Sequence, residues 1–356
     1  MFEAHAQVII YYTLLSVFVL VFSILIAAKP KTASKYSSVI TTLLLIFCVL
    51  FIGWRDWKVQ EVFVDSVEYG QAYLTFDQSS SEDAIDIGFY TLQYLCKSIG
   101  ISVEWFFVVC ALLYLIPKIK TVKELSPRYS FILLLAMMTS LGFYSYGVNA
   151  VRAGIATSFM LLSFVKYEKI RTFCIYAVLA VLFHKSVVLP LAAFICARIY
   201  NKDIKWYIII WLFAIPLSFV VKGFVSDFIL GFDFLHDRAE SYLLGEADSS
   251  KFSHVGFRYD FVMFSTVPLF VGWYFIVKKK FDDNFYRIIF CTYTLANAAW
   301  ILMNSVQFSD RFAYLSWFMM PIIIFYPFLY CSNVRRRFSK IAMILVAQLT
   351  FILTLK

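Results

Sequence analysis

The chain has 356 residues, of which 62% are hydrophobic, 20% aromatic and only 15% charged, and its mean hydropathy is +0.77. Soluble domains are about half apolar and a quarter charged, so this composition excludes a soluble globular protein and predicts a polytopic integral membrane protein. A net charge of +9 would suggest a nucleic-acid partner in a soluble protein. In a membrane protein the distribution of that charge between loops is what matters, and no nucleic-acid partner is expected.

Long apolar runs recur along the whole chain. The first follows an N-terminal segment without Lys or Arg, so we interpret it as a transmembrane helix and not as a cleaved signal peptide. A transmembrane helix needs about 20 residues, and several runs reach that length. The runs lie near 8–28, 36–54, 88–117, 129–146, 148–165, 172–197, 204–221, 257–277, 285–304, 312–331 and 339–355.

The connections between the runs alternate in charge. Six basic segments hold 20 Lys/Arg against five acids, whereas 55–86 holds eight Asp/Glu against two basic residues and 223–260 holds seven against three. The positive-inside rule places the basic segments in the cytoplasm. The prediction is therefore an external N-terminus and two external loops, 55–86 and 223–256.

One run breaks the alternation, because 172–197 has basic segments on both sides. A single crossing there would invert every later loop. We therefore predict two short helices that meet near His184 and Lys185 and return to the cytoplasmic side, since a broken helix is tolerated at membrane depth where protein or a wet cavity lines it. The predicted fold is all-α, with about ten full transmembrane helices plus this re-entrant or broken pair (10–12 in total), in a single integral membrane domain over 1–356.

Arg152 lies in an apolar segment, one turn inside its predicted outer end. An arginine at bilayer depth costs at least ~2.5–3.5 kcal/mol and usually faces a cavity or a partner. Asn149 is on the same helical face, three residues earlier. The alternative is that the long Arg152 side chain extends to the lipid headgroups at the outer surface. Asn149 and nearby small residues favour packing against protein instead.

His184 and Lys185 are candidates for chemistry because they occupy the predicted helix break. A neutral imidazole there could take a proton from a hydroxyl, although a structural, hydrogen-bonded histidine fits equally well. Near the last outer connection, Asp310 and Arg311 open a predicted helix. They are either a simple helix start with an exposed ion pair, or a second guanidinium and a carboxylate at the external level of Arg152.

The outer loops offer further polar residues. Asp65, Tyr69 and Tyr73 recur at a spacing of four, which would put a carboxylate and two phenols on one face of an interfacial helix; an amphipathic helix lying on the bilayer explains the same pattern. Arg258 belongs to the second outer loop, where solvation alone accounts for it.

No metal site or cofactor motif is visible in the sequence. The seven cysteines form no CxxC pair, and the phosphate-binding loop, the dinucleotide loop, the HExxH motif and the nucleophile elbow are absent. No DxD pair suited to a metal on a nucleotide sugar is present. Arginine forks match phosphate oxygens bidentately, so we expect a phosphate-bearing substrate, no metal and no cofactor.

The chain resembles the EpsG/Wzy-type bacterial polysaccharide polymerases along most of its length. The external Arg55 with the following Asp65, Tyr69 and Tyr73 is similar to the family's early pattern, as is the acidic-x-Gly-Phe segment DIGFYTLQYL. NAVRAGIA, FHKS and RFAYL continue the resemblance, in order, at 149–156, 183–186 and 311–315. Ala153 departs from the glutamine usual in the family, and the family's Gly-Thr-Asp-Tyr run after the first arginine is missing.

The resemblance implies a metal-independent membrane glycosyltransferase. Such an enzyme joins oligosaccharide repeat units carried on undecaprenyl pyrophosphate into O-antigen or exopolysaccharide, at the external face of the inner membrane, within membrane lipid. A chain-length regulator and a flippase are the expected partners. The predicted catalytic residues are His184, Asp65 and Asp310. The predicted substrate-binding residues are Arg152, Asn149, Arg311, Arg55, Arg258, Tyr69 and Lys185.

Two other functions remain open at this point. A flippase for the same lipid-linked sugar would explain the broken helix, but transporters often carry inverted repeats and no repeat is visible here. An O-antigen ligase or an O-acetyltransferase is the second alternative, and a ligase would share the donor and differ only in the acceptor.

Overall fold

Every regular element that the computed structural model of the protein describes is helical, which confirms the predicted all-α class. Within the described residues six helices are long and apolar enough to cross a membrane, and four shorter apolar helices accompany them. The predicted external loop 223–256 lies outside the described residues. Those are 4–76, 86–221, 257–304, 309–332 and 334–355, with the backbone alone for 309 and 310.

The helices are named in chain order. They are α1 (Ala4–Ala28), α2 (Pro30–Lys35), α3 (Ser37–Cys48) with a π-helical continuation (Val49–Gly53), α4 (Val64–Leu74), α5 (Ile87–Ser98), α6 (Val103–Leu125), α7 (Ser130–Met138), α8 (Phe143–Val148), α9 (Val151–Val165), α10 (Ile170–Phe183), α11 (Val188–Ile199), α12 (Lys205–Val220), α13 (Tyr259–Trp273) with a π-helical continuation (Tyr274–Lys278), α14 (Asn284–Leu302), α15 (Ser309–Trp317), α16 (Met320–Tyr330) and α17 (Arg337–Thr354).

The chain forms two compact units, a first unit of residues 1–187 with 325–356 and a second unit of residues 188–324. In the first unit α6 and α9 pack against each other, with α10 beside α9 and with α3 and α7 beside α6. These helices enclose the core of that unit. The single membrane domain over 1–356 stays a prediction.

Helix α1 illustrates how the outer helices meet the core. Tyr11, Leu15 and Val19 are fully buried, whereas Ile9 and Ile24 are exposed. A spacing of four places the buried residues on one helical face, and this helix packs against α17. The exposed apolar face is suited to lipid.

The predicted break within 172–197 is confirmed. Helix α10 ends at Phe183, the backbone of His184 is extended (φ −163°, ψ 116°), and a 3-10 turn (Lys185–Val187) precedes α11. The return of this pair to the cytoplasmic side stays a prediction.

Two apolar runs contain breaks that the sequence analysis did not place. Gly100 (φ +74°) separates α5 from α6 within 88–117, and Gly142 (φ +89°) separates α7 from α8 within 129–146. Glycine adopts these left-handed conformations without a steric penalty. Conversely, the predicted basic loop after 117 is helical as far as Leu125, and Lys118 is buried with its Nζ 4.5 Å from the centre of the Tyr114 ring.

A buried polar network joins four helices of the second unit around α14. The Asn297 side chain accepts a hydrogen bond from Trp211 Nε1 (2.7 Å) and donates to Ser265 Oγ (3.1 Å) and Ser316 Oγ (2.9 Å). Ser265 Oγ also accepts from Trp317 Nε1 (2.9 Å). Since buried polar groups destabilise a fold unless they are paired, this network specifies how α12, α13 and α15 surround α14.

We predict that Ser265→Ala lowers the thermal stability of the purified protein, because it leaves the donors of Asn297 and Trp317 without their acceptor. Loss of a buried hydrogen bond costs about 1–3 kcal/mol, which corresponds to a fall in Tm of roughly 2–12 °C at about 2–4 °C per kcal/mol. The matched control is Thr266→Ala, since the exposed Thr266 hydroxyl donates only to the Met263 carbonyl of its own helix. Equal melting temperatures for the two variants would contradict the prediction.

Candidate active site

A buried carboxylate, Asp86, contacts two charged or titratable side chains of the first unit. Its Oδ2 accepts a hydrogen bond from Arg152 Nη1 at 2.9 Å and lies 3.3 Å from His184 Nδ1. The Asp86 side chain is 3% exposed, against 16% for Arg152 and 24% for His184. Two of the residues predicted from the sequence therefore meet at a third that was not among the predicted site residues.

The local structure explains how three distant segments meet. Asp86 directly precedes α5, Arg152 is in the first turn of α9, and His184 directly follows α10. Gly88 lets α5 approach the end of α10, because a Cβ at this position would lie 2.9 Å from the Leu182 carbonyl carbon and oxygen. The absence of a side chain at Gly88 is what allows Asp86 to reach His184.

Aromatic rings complete the surroundings of Arg152. Its Nε donates a long hydrogen bond (3.4 Å) to the Tyr69 hydroxyl, and its Cζ lies 5.5 Å from the centre of the Tyr69 ring and 6.0 Å from that of Phe89. The two rings are 5.4 Å apart. Cation–π contacts of this kind favour a guanidinium that has lost water. The Nη2 of Arg152 makes no hydrogen bond to any described residue.

The contact with Asp86 favours one tautomer of His184. The Asp86 carboxylate is a hydrogen-bond acceptor, so we assign Nδ1, 3.3 Å from its Oδ2, as the donor nitrogen. The other nitrogen, Nε2, then has a free lone pair. A histidine held in this way is oriented to accept a proton at Nε2.

Other predicted residues lie close to this cluster. Asp65 is one turn before Tyr69 on α4, half-buried, and attracts the Arg152 guanidinium electrostatically. Asn149 follows α8 and precedes α9, so the expected shared helical face with Arg152 is wrong, because the helix is interrupted at residues 149 and 150. Its Oδ1 is buried without a hydrogen-bond partner among the described residues. Lys185 is half-buried in the turn after His184.

Two residues of the segment 55–86, which the sequence predicts to be an external loop, are almost fully buried. Arg55 is 1% exposed, and so is Tyr73, whose hydroxyl donates to the Ile101 carbonyl (2.8 Å) while its ring stacks on Phe106. The expectation that Asp65, Tyr69 and Tyr73 share one accessible face therefore holds for the first two only.

The remaining predicted residues belong to the second unit. The Arg258 guanidinium makes a two-pronged ion pair with Asp260 (2.9 and 2.6 Å), which occupies its fork. Arg311 is half-buried on α15, whose backbone starts at Ser309 as the sequence analysis expected to within one residue. The side chain of Asp310 lies outside the described residues.

Asp86 is the residue that the site prediction missed. It opens the acidic-x-Gly-Phe segment, in which Asp86 bridges Arg152 and His184, Gly88 permits the close approach, and Phe89 packs on Tyr69. Two signals in the sequence could have pointed to Asp86. One is its place in this segment, and the other is that a buried Arg152 needs a carboxylate as its partner. Among the described residues, no three His, Cys, Asp or Glu side chains cluster as metal ligands.

Comparison with known proteins shows the family to which the chain belongs. No curated protein and no solved structure matches the chain. The model of the EpsG family matches residues 38–356, nearly the whole chain, and this range includes Asp86, Arg152 and His184. The chain therefore belongs to the EpsG family, a family of Wzy-type polysaccharide polymerases.

Proposed function

We propose that the protein joins oligosaccharide repeat units carried on undecaprenyl pyrophosphate into a surface polysaccharide, O-antigen or exopolysaccharide. The observation that carries this proposal is the Asp86 carboxylate, which contacts a guanidinium and an imidazole at once. A polymerase of lipid-linked sugars needs a cation for the leaving pyrophosphate and a base for the attacking hydroxyl. Arg152 and His184 offer these two groups side by side.

In the proposed reaction the acceptor hydroxyl oxygen attacks the anomeric carbon of the donor sugar. The bond from that carbon to the phosphate oxygen breaks, and undecaprenyl pyrophosphate leaves with the electron pair. The hydroxyl proton passes to His184 Nε2. No metal takes part in this proposal, and a guanidinium bears the charge of the leaving group.

Arg152 has a charged partner within the protein as well as the proposed donor. The Asp86 carboxylate, 2.9 Å from Arg152 Nη1, already compensates its charge. In this proposal the donor pyrophosphate contacts Nη2 of Arg152 and the edge of the guanidinium that Asp86 does not occupy. Asp86 then keeps the guanidinium in place between turnovers and keeps Nδ1 of His184 protonated.

We further propose that this chemistry takes place at the external face of the inner membrane, with the N-terminus outside, near a flippase that delivers the donor and a chain-length regulator. The support is the charge asymmetry of the loops. Asp65, Asn149, Tyr69 and Lys185 are the further proposed donor contacts within the first unit, whereas the roles of Arg311, Arg258 and Asp310 stay sequence-based predictions.

The proposed function predicts a specific defect in a deletion strain. Its surface polysaccharide should lose the long ladder on a gel and retain a single repeat unit, because donor synthesis and export continue. Wild-type protein should restore the ladder, and Arg152→Ala and Arg152→Lys should not, because an ammonium group cannot reproduce the planar fork.

The matched control is Arg171→Ala, an exposed arginine at the opposite end of α10 from His184, which should restore the ladder fully. All variants must be present in the membrane at wild-type level. Loss of the single repeat unit together with the ladder would indicate a flippase. Full activity of Arg152→Ala would remove this arginine from the site.

We predict that His184→Gln, correctly folded, binds the lipid-linked donor but forms no detectable polymer in a purified assay. A positioned base contributes about 10²–10⁴-fold, and glutamine keeps a hydrogen bond to Asp86 without accepting a proton. His5→Gln is the control, since the exposed His5 lies near Glu61 only. A rate above one tenth of wild type would transfer the role of base to Asp65, Asp86 or Asp310.

The proposed orientation predicts the labelling pattern of single cysteines in intact cells. A cysteine at position 68, in α4, should react with a membrane-impermeant maleimide from outside, whereas one at position 280 or 336 should react only after permeabilisation. Mass spectrometry of the labelled peptides separates these sites from the exposed native Cys174 and Cys196. External labelling at 280 would overturn the proposed orientation.

A further inference from the structure

Arg55 is a buried arginine of the first unit whose hydrogen bonds do not involve a carboxylate. Its Nη1 donates to the Ile52 carbonyl (2.6 Å) and its Nε to Ser66 Oγ (2.8 Å), while its guanidinium lies 4.0 Å from the centre of the Phe107 ring. Nη2 is buried without a hydrogen-bond partner among the described residues. A buried unsatisfied donor destabilises a fold, so stability alone does not account for an arginine here.

The hydroxyl of Ser66 continues this chain of contacts to the segment that carries Arg152. Ser66 Oγ donates to the Val148 carbonyl at 2.5 Å, and Val148 is the last residue of α8. Carbonyls at the C-terminal end of a helix lack partners within the helix. Ser66 thus supplies from α4 the partner that this helix end requires.

The position of Arg55 also explains how its charge is tolerated. Ile52 lies in the last turn of the π-helical segment after α3, and Val148 ends α8. The carbonyl groups at helix C-termini carry partial negative charge and stabilise a nearby cation. One guanidinium therefore interacts with two helix ends, directly with the first and through Ser66 with the second.

We propose that Arg55 is a positioning residue that fixes the Asn149–Ala150 turn through Ser66, and so holds Asn149 and the first turn of α9 with Arg152 in place. With 1% exposure it does not touch the donor. This inference rests on the proposed function as far as activity is concerned, and it replaces the substrate-binding role that the sequence suggested for Arg55.

A double-mutant cycle tests this proposal on the purified full-length protein with lipid-linked donor. We expect Arg55→Gln and Ser66→Ala each to lower kcat at least tenfold, and the double variant to be no slower than the slower single variant, because both changes break one chain of contacts. Ser66→Thr, which keeps the hydroxyl, should retain at least a third of the activity.

The controls are Arg171→Gln and Ser98→Ala, two exposed positions of α10 and α5, which should behave as wild type. If Arg55 instead contacts the donor directly, Arg55→Gln loses activity while Ser66→Ala stays within twofold of wild type. Multiplicative losses in the double variant would also overturn the proposal. Should Arg55→Gln fail to fold, the comparison of Ser66→Ala with Ser66→Thr decides.

Hydrogen exchange measured without substrate separates this inference from the proposed function. In Ser66→Ala the amides of residues 143–152 should exchange at least tenfold faster than in wild type, while those of α6 and α10 stay unchanged. Unaltered exchange over 143–152 would refute the positioning role. A wild-type protein that forms no polymer would refute the proposed function and leave the exchange result standing.

Discussion

The first unit depends on one requirement of electrostatics, that a charge removed from water must meet an opposite charge or a full set of dipoles. Arg152 meets it with Asp86, whereas Arg55 meets it in part, with two helix ends, and its Nη2 has no hydrogen-bond partner among the described residues. Ion pairing and helix-end carbonyls are the two ways in which an apolar protein accommodates a guanidinium. Each set of contacts joins segments that are far apart in sequence, so a single buried charge stabilises the packing of several helices.

Much of the architecture could be predicted from the sequence because lipid imposes simple rules. A bilayer selects long apolar helices, and the basic loops give their expected orientation. The break at His184 followed from the same charge pattern, since one more crossing would have inverted all later loops. Arg152 and His184 were found because polar residues in apolar runs are rare and need an explanation.

The features that could not be predicted depend on tertiary contacts, which a local sequence pattern does not contain. Asp86 is one of eight acids in 55–86, and nothing in its neighbourhood reveals that it meets residues 66 and 98 positions later. The sequence pattern predicts Arg55 as a substrate-binding residue, whereas its side chain is buried. The glycine breaks at 100 and 142 were missed because an apolar run does not distinguish one long helix from two short ones.

At position 88, the stability of helix α5 and the geometry of the candidate site favour different residues. An alanine in the first turn of α5 would favour that helix by about 0.5–1 kcal/mol relative to glycine, yet its methyl group would collide with the Leu182 backbone. The substitution that strengthens the helix is therefore the one that separates Asp86 from His184. Engineering this protein for robustness by replacing helical glycines would meet the usual conflict between stability and activity at this position.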